Sequence, residues 1–232
     1  MVMAGLRGLT MVAPFAEIRA RAVAHKGEAE LAAMLPVPAT AAELSALDDA
    51  ECLREMTKCV FRSGFVWQVV ENKWEGFEAA FGGFNPKAVA PYADARLEAL
   101  AQDTAIIRNF TKIKATRDNA AFVLQTAAEH GSFGAFLAAW PEDEVVGLHQ
   151  HLKRAGSRLG GHTGQYFLRF IGKDTFMFSK DVVQVLVTKG IIEKEPAGKK
   201  ALAVVQDAFN GGREETGLPY CQLSRIMAAS VG

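Results

Sequence analysis

The segment that most constrains the fold spans residues 152–186, where two helical patterns flank a glycine-rich turn. A helical pattern with basic residues at its end precedes the turn, which occupies residues 156–161. A second helical pattern starts near His162 and ends at Gly172, and a short apolar loop then leads to Asp181 in front of another apolar run. This order predicts two helices joined by a tight hairpin, followed by a loop that presents one acid.

The turn between these helices has the composition of a phosphate-binding site. Glycines let backbone N–H groups approach an anion closely, and the N-terminus of the following helix adds the positive end of its dipole. Thr163 could cap that helix or contact the same anion. We therefore predict that a phosphate is bound by Arg158, Gly160, Gly161 and Thr163. The alternative is an ordinary glycine turn between two helices.

The chain carries no net charge, with 26 basic and 26 acidic residues, whereas nucleic-acid-binding proteins are often basic. The basic residues are nevertheless clustered. Residues 153–180 contain six lysines and arginines against one acid, and residues 106–117 contain four with no acid. The two clusters could form one surface that faces phosphates, or they could be ordinary solvated helix faces.

Helical periodicity covers nearly the whole chain, and strand-like alternation is almost absent. The sequence therefore predicts an all-α fold of about ten helices in two packed lobes, forming a single domain over residues 1–232 with the helix-hairpin-helix at about 146–172. Besides that motif, the predicted helices are Phe15–His25, Ala29–Leu35, Ala41–Leu47 capped by Thr40 with Glu43, a helix from Asp48 or Asp49 to Val60, Phe65–Phe81, a short helix after Asn85, Asp94–Ala101, Lys112–His130, Phe133–Trp140, Val182–Lys189, Lys199–Asn210 and Leu223–Ala229.

The cysteines and histidines give no metal-binding pattern. Cys52, Cys59 and Cys221 form no CxxC pair, and their odd number does not suggest a disulfide framework. His149 and His151 are predicted to lie on a solvated helix face. We expect reduced thiols, no metal and no cofactor.

The N-terminal apolar patches are interrupted by charged residues and a proline, namely Arg7, Pro14 and Glu17. They form neither the apolar region of a signal peptide nor a membrane span. The expected location is the cytoplasm.

Several segments occur in the order typical of one enzyme family. They are Ser63–Trp67, Lys73–Phe84, Asp103–Arg108 with Lys112-Ile113, and Leu152–Gly172. Together they resemble the DNA-3-methyladenine glycosylase I family of the helix-hairpin-helix DNA glycosylase superfamily. The resemblance implies a two-lobed glycosylase-like fold and a monomer that acts on double-stranded DNA with an alkylated base. It also implies base-excision repair, by hydrolysis of the N-glycosidic bond of alkylated purines, above all 3-methyladenine.

The chain departs from the family pattern at three places. The family has a pocket glutamate eight residues before the tryptophan that matches Trp67, and here that position is Cys59. The family's zinc-binding cysteines and histidines near both termini have no counterparts. The loop after Gly172 is longer than in the family, and Ser179–Val182 resembles the loop in which most of the superfamily carries its catalytic aspartate. The chain therefore resembles a divergent member.

Base excision needs a nucleotide swung out of the stack and a carboxylate beside the sugar, because the bond breaks through an oxocarbenium-like state. Asp181 is the candidate catalytic carboxylate, and its alternative role is the N-cap of the following helix. Lys180 lies beside it, where bifunctional members of the superfamily place no lysine. We therefore predict a monofunctional hydrolase.

The base pocket is predicted to contain Trp67 as a stacking wall and Cys59 at the position of the family glutamate. Core packing is the alternative for both residues, and Tyr166 and Trp74 are predicted to be core.

Two other functions stay open. The loss of the pocket glutamate permits a non-catalytic DNA-damage-binding protein of the same fold. A helical protein-interaction module is the third possibility, against which the basic residues around the turn argue.

Overall fold

The structure is a computed structural model that describes residues 15–232. Among these residues there are fifteen α-helices, one short 3₁₀ helix and no strand, so the all-α prediction is confirmed and the estimate of about ten helices is too low. Arg7 and Pro14 lie outside the described residues. The helices are α1 (Phe15–Lys26), α2 (Glu28–Met34), α3 (Ala41–Ser45), α4 (Asp49–Arg62), α5 (Trp67–Glu71), α6 (Trp74–Ala80), α7 (Pro86–Val89), α8 (Asp94–Leu100), α9 (Phe110–His130), α10 (Phe133–Ala139), α11 (Val145–Ala155), α12 (His162–Phe170), α13 (Lys180–Thr188), α14 (Gly198–Thr216) and α15 (Tyr220–Ala229).

The described chain divides into two compact units. The unit of residues 39–140 and 147–173 is built around α4 and α9, which pack along one another. Its core is rich in phenylalanine, and Trp74 stacks on Phe84 at 5.4 Å, with the two ring planes 8° apart. Trp74 is partly buried against this core, in agreement with its predicted role. Stacked aromatic side chains therefore form a large part of the core of this unit.

Two predicted helix starts in this unit are confirmed by their hydrogen bonds. The Thr40 hydroxyl accepts from the backbone N–H of Glu43, whose carboxylate in turn accepts from the backbone N–H of Thr40. Asp48, rather than Asp49, caps α4 and accepts from the backbone N–H of Ala50 at 3.1 Å. Both interactions satisfy N–H groups that a helix N-terminus leaves without a partner.

The other unit contains residues 15–38, 141–146 and 174–232 of the described chain. At its centre the rings of Phe176 and Phe209 stack at 4.0 Å. The carboxylate of Asp174 accepts hydrogen bonds from the backbone N–H groups of Tyr220 and Cys221, and so caps the start of α15 from a distant part of the sequence. The prediction of a single two-lobed domain stays a prediction.

Two helix boundaries were wrongly predicted. The expected helix Phe65–Phe81 is broken into α5 and α6, because the chain turns at Asn72-Lys73. At this turn the ammonium group of Lys73 donates a hydrogen bond to the carbonyl of Thr104. The expected end of a helix at Gly211-Gly212 lies inside α14, which continues to Thr216. A Cβ atom at Gly212 would lie 3.5 Å from the side chain of Leu223, an ordinary van der Waals contact, so the packing of α14 on α15 does not require glycine there.

The two histidines predicted to be solvated lie inside the phenylalanine-rich unit. His149 is buried, with 8% of its surface exposed. His151 is half-buried, and its ring lies 5.2 Å from that of Phe136 and 5.5 Å from that of Trp140. Both residues therefore contribute to packing. No helix within residues 15–232 combines the length and apolar composition that a membrane span requires.

Candidate functional site

A cavity of about 290 Å³ opens in the unit that contains α4, α5 and α12. It lies among the C-terminal end of α4, the turn before α5 and one face of α12. Its lining residues are Cys59, Arg62, Ser63, Gly64, Trp67, His162, Thr163, Tyr166 and Phe170. The cavity thus brings together Cys59, Trp67 and Thr163, which the sequence had singled out for two different roles.

Three aromatic rings form one side of this cavity, and we call Trp67, Tyr166 and Phe170 the aromatic wall. The indole of Trp67 lies 5.3 Å from the ring of Tyr166 and 5.8 Å from that of Phe170, nearly perpendicular to both. Tyr166 and Phe170 are stacked at 5.5 Å, as their spacing of four residues on a helix permits. Trp67 is 42% exposed, so it is not a core residue. Tyr166 is partly buried and packs against the core, as predicted, and it also lines the cavity.

Arg62 is a cavity residue that the sequence reasoning missed. Its guanidinium lies 4.9 Å from the ring centre of Trp67 and 5.1 Å from that of Phe170. It also donates to the carboxylate of Glu71 from Nη2 at 2.6 Å. The ammonium group of Lys58 lies 2.8 Å from the other oxygen of Glu71. A basic residue at the end of an amphipathic helix carries no sequence signal that separates this position from a solvated one.

Cys59 lies at the cavity with its thiol in a protonated state. Burial raises the pKa of the Cys59 thiol, and the nearby charge of Glu55 acts in the same direction. The Sγ atom donates to Oε1 of Glu55 at 3.4 Å. Burial also raises the pKa of the Glu55 carboxyl, although the hydrogen bond from Cys59 and the charges of Arg62 and Lys58 oppose the rise. Cys59 therefore supplies neither a negative charge nor a nucleophilic thiolate to the cavity.

The predicted glycine turn joins α11 to α12 at residues 156–161. Gly161 has a φ of 57° and precedes α12 without any side-chain cap, so the suggestion that Thr163 caps this helix is wrong. Arg158 is exposed and has a φ of 60°, which is uncommon for a residue with a side chain. Buried Asn119 of α9 bonds to the backbone of Ser157 and holds the turn in place.

The two basic clusters are linked electrostatically through Lys112 and Arg158. The ammonium group of Lys112 is buried and donates to the carbonyls of Phe61, at 3.2 Å, and Ser63. Burial lowers the pKa of Lys112, and the charge of Arg158 lowers it further. Two other basic residues of the 106–117 cluster form ion pairs, Lys114 with Asp118 and Arg117 with Asp94. Three of the four basic residues in 106–117 therefore have partners within the protein, while Arg158 stays exposed on the turn.

Asp181 is the second residue of α13 and belongs to the unit centred on Phe176. Its alternative role as an N-cap is wrong, because the hydroxyl of Ser179 occupies that position and accepts from the backbone N–H of Val182 at 3.3 Å. Asp181 is partly exposed, and Lys180 before it is exposed. Within residues 15–232 no cluster of three or more histidine, cysteine, aspartate or glutamate side chains is arranged to hold a metal ion.

An aromatic cavity beside a glycine turn, in an all-α chain, is the arrangement expected of a helical DNA glycosylase. A family model described as methyladenine glycosylase matches residues 44–163, which is more than half of the chain. The chain belongs to the methyladenine glycosylase family. The predicted family and the predicted DNA glycosylase activity are thereby confirmed, and binding of DNA follows from that activity.

The chain is also similar to solved structures of 3-methyladenine DNA glycosylase I. A crystal structure of a mutant 3-methyladenine DNA glycosylase I from Staphylococcus aureus is 21% identical, with a TM-score of 0.50, and the match covers 66% of this chain and 86% of that one. Another crystal structure of a 3-methyladenine DNA glycosylase I is 25% identical, with a TM-score of 0.48 over 60% of this chain and 82% of that one. The first match supports the helical glycosylase fold.

Proposed function

We propose that the chain hydrolyses the N-glycosidic bond of an alkylated purine of the 3-methyladenine type in double-stranded DNA. One observation carries this proposal: the cavity is lined by the aromatic wall and reaches the first residues of α12, next to the glycine turn. A flipped base would enter the cavity while the turn binds the DNA backbone. The cavity volume of about 290 Å³ is close to the lower end of the range for small-ligand pockets, about 300 Å³, which suits a single base.

The aromatic wall explains why an alkylated purine would be selected. Alkylation on a ring nitrogen leaves the purine with a positive charge while it is attached to the sugar. Electron-rich rings attract such a cation by roughly 0.5–2 kcal/mol beyond ordinary stacking. The indole of Trp67 is partly exposed and lines the cavity, so it is accessible to a base.

The glycine turn is proposed to bind a phosphate through Arg158, Gly160, Gly161 and Thr163. Arg158 is exposed, and the N-terminus of α12 has no side-chain cap, so the positive end of the helix dipole can attract an anion. A side chain at Gly160 would come within 3.2 Å of Lys153, and one at Gly161 would have to adopt a φ of 57°. Both positions therefore favour glycine.

Asp181 is proposed to act in the chemical step. The bond between C1′ of the sugar and the purine breaks, and the purine leaves with the bonding electron pair, which neutralises its positive charge. A carboxylate stabilises the cationic sugar and accepts a proton from the water that adds to C1′. The products are an abasic site and the free base. We further propose that the chain acts as a monofunctional, monomeric enzyme in the cytoplasm.

The second candidate function is a DNA-damage-binding protein without catalysis. The neutral thiol of Cys59 supports it, because this position of the cavity lacks the charge that a carboxylate would supply. Binding would then depend on the aromatic wall and the glycine turn alone. Asp181 would have no role in it.

Single-turnover excision separates the two functions. Duplexes of one sequence, each carrying a single alkylated purine, are incubated with excess protein, and the released base is measured by chromatography. We expect release of 3-methyladenine and none from the unmodified duplex. Binding of the same lesion duplexes without release of any base would reject the glycosylase and support the second candidate.

A further inference from the structure

Glu55 contacts two residues that line the cavity, Cys59 and Arg62. We propose that Glu55 is the specificity-determining residue that supplies the negative charge for a cationic base in this cavity. The inference rests on the proposed function and extends it from the kind of base to the side chain that recognises its charge.

The geometry brings the Glu55 carboxylate close to the cavity without exposing it fully. Glu55 and Cys59 are one helical turn apart on α4, and the thiol of Cys59 donates to Oε1 of Glu55 at 3.4 Å. The same oxygen lies 3.8 Å from Nη1 of Arg62. The Glu55 side chain is 22% exposed, so its charge is only partly screened by solvent.

The charges around Glu55 leave it as the least neutralised acid of the group. Lys58 and Arg62 both contact Glu71, at 2.8 Å and 2.6 Å, and so share that one carboxylate. Glu55 has only the longer contact with Arg62 and a hydrogen bond from a neutral thiol. An additional cation in the cavity would therefore find its counter-charge on Glu55 rather than on Glu71.

Binding of a cation should consequently be linked to the ionisation of Glu55. Burial holds the pKa of Glu55 above its usual range in the free protein, despite the opposing effects of Cys59, Arg62 and Lys58. A cation in the cavity favours the carboxylate and lowers this pKa again. Affinity for a cationic base should therefore rise with pH up to the pKa of the free protein, while affinity for a neutral base should not follow that course.

The test uses the full chain and two nucleosides that differ in charge, cationic 7-methylguanosine and neutral guanosine. Binding is followed by quenching of tryptophan fluorescence across the acidic pH range. We expect Glu55→Gln to reduce the preference for the cation by about tenfold, as the loss of one nearby charge predicts, and to remove its pH dependence. Glu51→Gln is the matched control, because Glu51 is an exposed glutamate one turn earlier on the same helix.

A rescue variant separates a charge effect from a structural one. Glu55→Gln combined with Cys59→Glu places a carboxylate on the cavity itself and should restore the preference for the cation. An unchanged preference in Glu55→Gln would overturn the inference, as would a loss that the double variant does not restore. Nucleoside binding needs no catalysis, so the inference can fail while the wild-type protein still excises bases, and it can hold if excision fails.

Discussion

The side chain of Asn119 pairs with the backbone of Ser157 in both directions. Its Nδ2 donates to the carbonyl oxygen at 3.0 Å, and its Oδ1 accepts from the N–H at 2.7 Å. Asn119 is fully buried in the middle of α9, whereas Ser157 lies in the glycine turn next to Arg158. A core residue therefore fixes the conformation of a surface turn.

Asn119→Ala should destabilise the fold and loosen the turn. It leaves the two backbone groups of Ser157 without their partner, at a cost of about 1–3 kcal/mol for each group that stays buried. The free energy of unfolding by urea measures the first effect, and affinity for unmodified duplex DNA measures the second. Asn72→Ala is the control, because the Asn72 side chain is exposed and accepts a hydrogen bond from the side chain of Gln68 one turn earlier. Full DNA affinity in Asn119→Ala would show that the turn does not bind DNA.

Arg158→Ala should weaken binding to every duplex about equally, because a phosphate contact carries no sequence information. The slope of log affinity against log salt concentration should become shallower by about one unit. Lys200→Ala removes the same charge from an exposed site on α14 and should leave the slope unchanged. Gly160→Asp should weaken binding more than Arg158→Ala. A loss confined to lesion-bearing DNA would place Arg158 at the base instead.

Trp67→Ala should abolish discrimination between lesion-bearing and unmodified DNA while the protein stays folded. The indole is 42% exposed, so its removal takes little from the core. Trp74→Ala is the contrasting variant, because Trp74 stacks on Phe77 and Phe84 and its loss should cost about 3–5 kcal/mol of stability. Thermal unfolding by circular dichroism and paired binding curves measure the two effects. Unfolding of Trp67→Ala at room temperature would contradict the assignment to a pocket wall.

Asp181→Asn should reduce the single-turnover excision rate by about 10²-fold or more, the scale of an acid–base group. Affinity for lesion-bearing DNA should persist, since the phosphate contacts are unchanged. Stability should change little, because Ser179 and not Asp181 caps α13. Glu195→Gln removes a carboxylate from an exposed position of the same unit and should leave the excision rate unchanged. An unaltered rate in Asp181→Asn would remove Asp181 from the mechanism.

Acid should destabilise the fold through His149. Burial lowers the pKa of His149 from 6.5 to about 3. Between these values the unfolded chain binds a proton that the folded chain does not, so this contribution is present above pH 6.5 and is lost as the pH falls towards 3. Urea unfolding at several pH values should show a falling free energy of unfolding. In His149→Asn the free energy of unfolding should depend less steeply on pH. His25→Asn, at an exposed position, should keep the wild-type slope.

Most of the helical framework could be predicted from the sequence, because capping residues and helical periodicity are local signals. Three helices start at the expected capping residues, which are Thr40 (paired with Glu43), Asp48 and Asn85. The break between α5 and α6 could not be predicted. No proline or glycine marks it, and the contact that Lys73 makes there is with Thr104, thirty-one residues away, so it leaves no local signal.

The candidate site could be predicted only in part, because some of its residues are brought together by tertiary contacts. Trp67 and Cys59 could be placed in a cavity through the family resemblance, and the glycine turn through its composition. Arg62 could not be found, since its role depends on the rings of Trp67 and Phe170, which come from different helices. Tyr166 has the spacing of a core residue, and only the tertiary structure shows that its face of α12 borders the cavity.

Helix α12 also sets a fixed distance within the site. A Cβ atom at Gly164 would lie 2.2 Å from the carbonyl oxygen of Leu159, so the first turn of the helix is pressed against the glycine turn. Thr163 and Phe170, at opposite ends of the helix, are about 10 Å apart along its axis, at about 1.5 Å per residue. The length of α12 therefore fixes the separation between the turn that is proposed to bind the DNA backbone and the rings that are proposed to contact the base. A single inserted residue would rotate Tyr166 and Phe170 by about 100° relative to the turn, so the length of α12 is as much a part of the site as its side chains.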